Sequence, residues 1–333
     1  MDNFDCTNRR MSWKEFVDKN DFSLRALIKF NNSRILNKGL FKDLTFIYRV
    51  LLNRKDFFGF LEELKKPQFY PLAEKDDSIL FKILRPYELS RYSVKERIEA
   101  ITKHYEILNQ YLPSDKLNQL YTEDGIEIGR YTPTEAIPLQ YRIIAHFSKT
   151  HRREGDFAIS IVRESIIDGF DVATTERIFS IAFNLGYINS RRVMKINAIQ
   201  GCTPHLAEPQ KEISNITKLG FGLLPKYILV AIAFKMSVLF DCEEVLAIKK
   251  NSHVFNNVHY KTKMKNEFKN DYDKQWQDFN PVDFDNDYYK ITPMPRTPIE
   301  EIPSKKRSQH RKRYNFVDQI INNLETIFSI SKP

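Results

Sequence analysis

The stretch from Arg191 to Lys250 constrains the fold of this chain more than any other. Val193-Met-Lys-Ile-Asn-Ala-Ile-Gln200 alternates as a strand does and stops at Gly201. A polar loop then ends in Gly220-Phe-Gly222. Leu223 to Phe240 follows as an apolar helix whose only charges are Lys226 and Lys235. Glu244-Val-Leu-Ala-Ile-Lys249 reads as a second buried strand. A helix between two such strands covers one face of a sheet. Glycines at its start either receive an anion on free amides or simply turn the chain.

The rest of the chain supplies a context for that unit. Residues 1–120 read as a helical region, with apolar residues at helical spacing in Leu40 to Leu52 and again in Phe57 to Leu64. Ser93-Val-Lys-Glu96 has the pattern of a capping box and opens a helix carrying Val94, Ile98, Ile101, Tyr105 and Leu108 on one face; Pro113 closes it. After Gly125 the period changes. Leu139 to Phe147 and Phe157 to Val162 read as strands joined by a polar tip, Ser148 to Gly155. Ile178 to Phe183, Val193 to Gln200 and Val245 to Ile248 make three more. The expected class is α+β, a helical N-terminal region followed by a mostly antiparallel sheet with a crossover helix over 121–333. Gly201 to Ile216 reads as a long loop. Phe268 to Phe279 reads as a short helix docked by Tyr272 and Trp276. Asn280 to Pro303 holds five prolines and reads as extended and irregular. Phe316, Ile320, Leu324 and Ile327 form an apolar stripe on a terminal helix.

Composition narrows the class of protein. Of 333 residues, 42% are hydrophobic, which is enough to pack a core and excludes general disorder. The net charge of +9 favours an anionic partner without naming one. The three cysteines, Cys6, Cys202 and Cys242, lack any CxxC pairing and fit a reducing compartment. The first ten residues lack an apolar core, and the longest apolar run, Tyr227 to Phe234, is too short to span a bilayer. A cytoplasmic protein, peripheral to the inner membrane at most, is the expectation.

Four features could carry chemistry. Thr217-Lys-Leu-Gly220-Phe-Gly222 echoes the Gln/Arg-x-x-Gly-x-Gly loop with which acetyltransferases of the GNAT type hold coenzyme A, with Thr217 in the Gln/Arg place. His146, His151, His205, His253 and His259 have no zinc-site spacing, although His253 falls near a sheet end, where a general base is useful. His151, Arg152 and Arg153 crowd the hairpin tip. Lys305, Lys306, Arg307, Arg311 and Arg313 crowd the start of the last helix. Both clusters suit a phosphate, a carboxylate or an acidic partner. No recognisable nucleic-acid motif accompanies them, and no nucleic acid is expected. No metal site is expected.

Taken together, these pieces resemble the VirK/YbjX family of bacterial proteins. The matching stretches are Arg97 with His104-Tyr105, His151-Arg-Arg-Glu-Gly155, Ile199-Gln-Gly201, Gly222-Leu-Leu-Pro-Lys226, Ser252-His253, Asp271-Tyr-Asp273 with Trp276, and Glu301-Ile-Pro-Ser-Lys-Lys-Arg307 through Arg311-Lys-Arg-Tyr314. Leu224 stands where the family pattern leads one to expect an arginine. The resemblance implies a role in envelope integrity, surface-protein display, virulence or resistance to cationic antimicrobial peptides. It also implies a C-terminal half similar to the GNAT acyltransferase fold. No catalytic residue is carried over. An active transferase would hold acyl-CoA at Gly220, Gly222 and Lys226, with Gln200 at the neighbouring strand end. The rival reading is a non-enzymatic module that touches an anionic membrane surface or an envelope protein through the basic tip and tail.

Overall fold

The computed structural model describes residues 40–69, 75, 79–122, 124–148, 151–166, 173–201, 206–260 and 271–329. Cys6, Cys202 and His205 lie outside the described residues, as do Phe268 to Asn270. The chain divides into two units, Met1–Arg85 with Tyr92–Glu99, and Pro86–Arg91 with Ala100–Pro333.

The described residues of the first unit are mainly helical: α1 (Leu40–Leu52), α2 (Arg54–Leu64), α3 (Ile79–Lys82) and the opening turns of α4 (Val94–Tyr111). Phe57, Phe60, Leu61 and Leu64 make the buried stripe of α2. The capping box forms as its spacing predicts. Ser93 Oγ accepts from the Glu96 amide at 3.3 Å, and the Glu96 carboxylate accepts from the Ser93 amide at 2.7 Å. Arg97 secures the unit by donating to the carbonyls of Ile83 and Tyr92 at 3.0 and 2.6 Å.

In the second unit α4 buries Ile101, Tyr105 and Leu108, and α5 (Ser114–Leu120) follows. The strands are β1 (Ile126–Tyr131), β2 (Gln140–Phe147), β3 (Phe157–Ile166), β4 (Ala173–Ile188) and β5 (Arg191–Gln200). After β5 come α6 (Pro209–Leu219), α7 (Pro225–Leu239), β6 (Glu244–Ile248), α8 (Tyr272–Trp276), β7 (Val282–Asp283) and β8 (Tyr288–Lys290). The chain closes with α9 (Ser304–Asn322) and α10 (Leu324–Phe328). The sheet order is β1-β2-β3-β4-β5-β6-β8-β7. Every neighbouring pair is antiparallel except β5 and β6, which run parallel because α7 carries the chain back across the face. The class is therefore α+β with a crossover helix, as expected.

Helix α7 packs across β3 to β6, burying Ile228, Leu229, Ile232, Ala233 and Met236. Pro225 occupies its first turn, where the missing amide costs nothing. Trp276 is buried and donates its indole N–H to the Ile248 carbonyl at 2.9 Å, which docks α8 beside β6. Gly129 in β1 lies under α9; a Cβ there would stand 2.9 Å from Ile320 Cγ1, so glycine admits the close approach.

Three expectations are corrected. The stretch read as a loop before Gly220 contains α6, started by Pro209 and buried through Glu212, Ile216 and Leu219. Its helical signal is weak because one of its three buried positions is the carboxylate Glu212. That carboxylate is held by the Tyr141 hydroxyl at 2.5 Å and by Arg163. The strand over Ile178 to Phe183 is the middle of a much longer β4, extended by polar and threonine positions that pair with β3 and β5. The proline-bearing segment is not irregular throughout, since β7 and β8 lie within it and add to the β6 edge.

Candidate functional site

The glycines of the expected phosphate loop end one helix rather than opening the next. The amides of Gly220, Phe221, Gly222 and Leu223 donate to Ile216, Lys218, Thr217 and Gly220 carbonyls at 2.7–3.0 Å. Phe221 and Gly222 take positive φ of 56° and 84°, the left-handed turn that closes a helix C-terminus. The amides to which a diphosphate was assigned are thus engaged within the chain. Lys226 is salt-bridged to Asp278, holds that carboxyl below the usual carboxylate range, and lies over the Tyr227 ring. Gln200 is elsewhere, its amide donating to Glu154 Oε1 at 3.2 Å.

The structure does bring the Gly222 loop against one member of the basic tail. Arg313 of α9 donates through Nε and Nη2 to the Phe221 carbonyl at 3.2 and 3.1 Å. A Cβ on Gly222 would stand 2.9 Å from Arg313 Nη2 and 3.0 Å from Gln309 Nε2. Replacing Gly222 by alanine is therefore expected to cost about 1–2 kcal/mol through backbone strain and to push Arg313 aside. Urea unfolding reads the first effect. An unchanged midpoint would show that the turn relaxes.

Beside this contact lies a groove with a volume of about 370 Å³. Its floor is the outward face of α7, with Leu223, Tyr227, Val230, Ala231, Phe234 and Val238. Helix α7 is apolar on both sides, and a helix of that kind needs cover on both. The sheet covers one side. Residues 293–297 and α9 cover the other in part and leave Val238 59% and Met294 47% exposed. The roof is fixed in place: Arg296 makes a two-pronged pair with Asp318 at 2.9 and 2.5 Å and stacks on Tyr314, whose hydroxyl donates to the Thr297 carbonyl at 3.0 Å. Pro293 and Pro295 stiffen it.

The lining carries four groups that are or can become cationic, Lys235, Arg296, His310 and Arg313, and no carboxylate. Lys235 pairs with Glu325 and Arg296 with Asp318, whereas Arg313 meets the Phe221 carbonyl. Desolvation, with Arg313 and Lys306 nearby, holds His310 below its ordinary pKa, and its Nδ1 is buried with no hydrogen-bond partner. The groove therefore joins a long apolar floor to a lining with four basic side chains, of which Lys235 and Arg296 are already paired with carboxylates outside it.

The other predicted site residues are placed differently. His151 is fully buried, Arg153 stacks on Tyr260 at 4.3 Å, and Arg152 alone of the three tip residues is exposed. In the tail, Lys305, Lys306 and Arg311 are exposed, while Arg307 donates to the Ile302 and Glu300 carbonyls, both at 2.8 Å. His253 is buried and stacked on Tyr272, and desolvation lowers its pKa to about 4. It lies where β5 outruns β6: their pairing ends at Ile196 and Ala247, Asn197 forms a bulge, and β5 continues to Gln200. Buried side chains pack beside that divergence. Glu88 is ion-paired to Lys195 and accepts from Asn184 at 2.7 Å, and the Tyr288 hydroxyl reaches Asn197 at 3.1 Å. The groove was not visible in the sequence, because its walls come from segments about 60 to 90 positions apart. The usable signal was the second apolar face of α7.

Among the described residues, no helix is long and apolar enough to cross a membrane. The fold thus defines a class: an α+β protein with one parallel pair in an antiparallel sheet and an apolar groove on its crossover helix whose lining includes basic side chains. The chain belongs to the family described as "Protein of unknown function (DUF535)", whose profile matches residues 37–326. It is 26% identical over 287 residues to "Uncharacterized protein YbjX" of Escherichia coli (strain K12), covering 85% of this chain and 82% of that protein. An "Uncharacterized protein" of Haemophilus influenzae is 26% identical over 247 residues, covering 74% of this chain and 76% of its own length. No solved structure matches.

Proposed function

We propose that this protein binds the acyl chain of an anionic amphiphile in the α7–α9 groove. The observation that carries the reading is the union of an apolar floor, partly exposed at Val238 and Met294, with a lining that holds four basic side chains and no acidic one. Acyl amphiphiles are building blocks of a bacterial envelope, so the reading agrees with the envelope role implied by the VirK/YbjX resemblance. The parallel β5–β6 pair, the crossover helix and the Asn197 bulge support an acyltransferase-like ancestry for the sheet. The engaged amides at Gly220 to Leu223, and the side chains packed beside the β5 end, favour binding over acyl-CoA-dependent transfer. Exposed Lys305, Lys306 and Arg311 at the start of α9 would draw the protein toward an anionic lipid surface, each worth about 1 kcal/mol there.

Calorimetric titration with free fatty acids of increasing length tests this. Burying each methylene is worth about 0.8 kcal/mol, so affinity should rise roughly fourfold per added carbon until the groove is full. Palmitoyl-CoA should bind no more than about tenfold tighter than palmitate, since no amide cradle adds affinity for its diphosphate. Absence of saturable binding at any chain length would refute the reading.

His310 supplies a second readout. A carboxylate or phosphate beside His310 favours the imidazolium, so binding should raise the His310 pKa from its depressed value in the free protein. Binding then takes up a proton, and affinity falls as pH rises through the pKa of the bound form. Ring proton shifts followed by NMR, with and without palmitate, would show it; an unmoved titration would place the head group elsewhere.

A further inference from the structure

The hairpin tip buries a second group of residues that the groove does not use. Ser180, in the middle of β4, is directly opposite Gln200 of β5, and its Oγ lies 2.6 Å from His151 Nε2 and 2.6 Å from Arg177 Nη1. Arg177 Nη1, which can only donate, also lies 3.1 Å from His151 Nε2, so Nε2 faces a donor there and accepts; the Ser180 hydroxyl hydrogen is the other donor within its reach. That makes Nε2 the acceptor and places the imidazole proton on Nδ1. Nδ1 has no hydrogen-bond partner and faces Glu154 Oε1 at 3.9 Å. Glu154 is itself oriented by the Gln200 amide at 3.2 Å and by the turn in which its own amide donates to the His151 carbonyl at 3.0 Å.

These contacts give the order of a serine nucleophile, an imidazole base in the correct tautomer and a carboxylate behind it. Burial alone would raise the Glu154 pKa, but His151 and His253 hold it below the usual range, which keeps it anionic. The neighbouring serine is a useful contrast. Ser160 also meets a histidine, His146, at 2.8 Å, but the other nitrogen of that ring faces the Phe147 carbonyl rather than a carboxylate. Ser180, His151 and Glu154 are buried, whereas Arg177, Phe179 and Gln200 around them are partly exposed. The group therefore sits one side chain below the surface.

We propose that Ser180 is an acyl-accepting nucleophile acting on a carboxylic ester or thioester, with His151 as its base and Glu154 as the positioning residue behind the imidazole. Ser180 Oγ bonds to the acyl carbon while its proton passes to His151 Nε2. The bond from that carbon to the leaving oxygen or sulfur breaks, and His151 returns the proton to the departing alcohol or thiol. Water then attacks the acyl carbon and gives a proton to His151; the bond from that carbon to Ser180 Oγ breaks, His151 passes the proton to Oγ, and the acid leaves with Ser180 and neutral His151 restored. Arg177, displaced from both Ser180 Oγ and His151 Nε2 as the substrate enters, supplies the donor for the carbonyl oxygen as charge develops there. This proposal does not rest on the groove, and it survives if the groove is empty of acyl ligand.

The test is covalent labelling of the native protein by an alkyl fluorophosphonate, followed by intact mass and peptide mapping. One adduct is expected, on Ser180, absent from heat-denatured protein. Ser180→Ala should abolish it, and His151→Asn should slow it by at least about 1000-fold. Ser160→Ala should leave it unchanged. Glu154→Gln should slow labelling and alter its pH profile, whereas a purely structural Glu154 would change the melting temperature without changing that profile. Mapping of the wild-type protein stands even if a variant fails to fold. No adduct on native protein, an adduct on another residue, or labelling retained in folded His151→Asn would overturn the proposal.

Discussion

Ala231→Trp is expected to reduce affinity for palmitate by at least about 100-fold while leaving the protein folded. Ala231 is a small, partly exposed residue on the groove floor, between Tyr227 and Phe234 along α7. An indole there would project into the space of about 370 Å³ that the acyl chain must fill. Its cost to the helix is small, about 0.5 kcal/mol of intrinsic propensity, because the position faces away from the sheet. Ala231→Ser adds almost no volume and should retain nearly all binding. Calorimetry with both variants separates filling of the groove from damage to the helix. Full-strength binding to a folded Ala231→Trp protein would move the ligand off this face of α7.

The largest effect on stability is expected from Glu88→Ala. Glu88 is fully buried at φ 61°, ion-paired to Lys195 and hydrogen-bonded by Asn184 and the Tyr288 hydroxyl. Removing its carboxylate leaves the Lys195 ammonium buried without its counter-charge, a change that typically costs about 3–5 kcal/mol. For a unit of this size that is a fall of roughly 6–20 °C in Tm. The loss reflects the stranded charge rather than the net worth of the pair. Adding Lys195→Met to Glu88→Gln should therefore recover much of the stability lost in Glu88→Gln alone. Thermal denaturation followed by circular dichroism reads both. If Glu88→Ala melts with the wild type, water or another carboxylate has taken over the lysine.

Sequence periodicity disclosed much of the scaffold and little of the site, for physical reasons. The five strands with an apolar face were legible because alternation reports burial on one side. Strand β1 was not, since Gly129 interrupts its alternation to let Ile320 approach. Strand β8 was too short to show a period and is held by the β6 edge that it joins. Arg313 was visible as part of a basic cluster, but its partner, the Phe221 carbonyl, lies far away in sequence. His151 and Glu154 read as surface residues on a charged tip. The tip instead folds inward because Ser148 Oγ captures the His151 amide at 2.6 Å and the imidazole reaches Ser180. A polar residue at the centre of the apolar run Ile178 to Phe183 was the available clue, and periodicity alone gives it no partner.

The most direct test of the acyl-binding account is photo-crosslinking with a palmitate analogue carrying a diazirine near the end of its chain, mapped by peptide mass spectrometry. The groove predicts adducts on Val230, Phe234, Val238 or Met294, suppressed by excess palmitate and absent from Ala231→Trp. Adducts clustered at Asn197 to Gln200 and His253, beside the divergence of β5 from β6, would contradict the account and put the acyl chain where an acyl-CoA-dependent transferase would hold it.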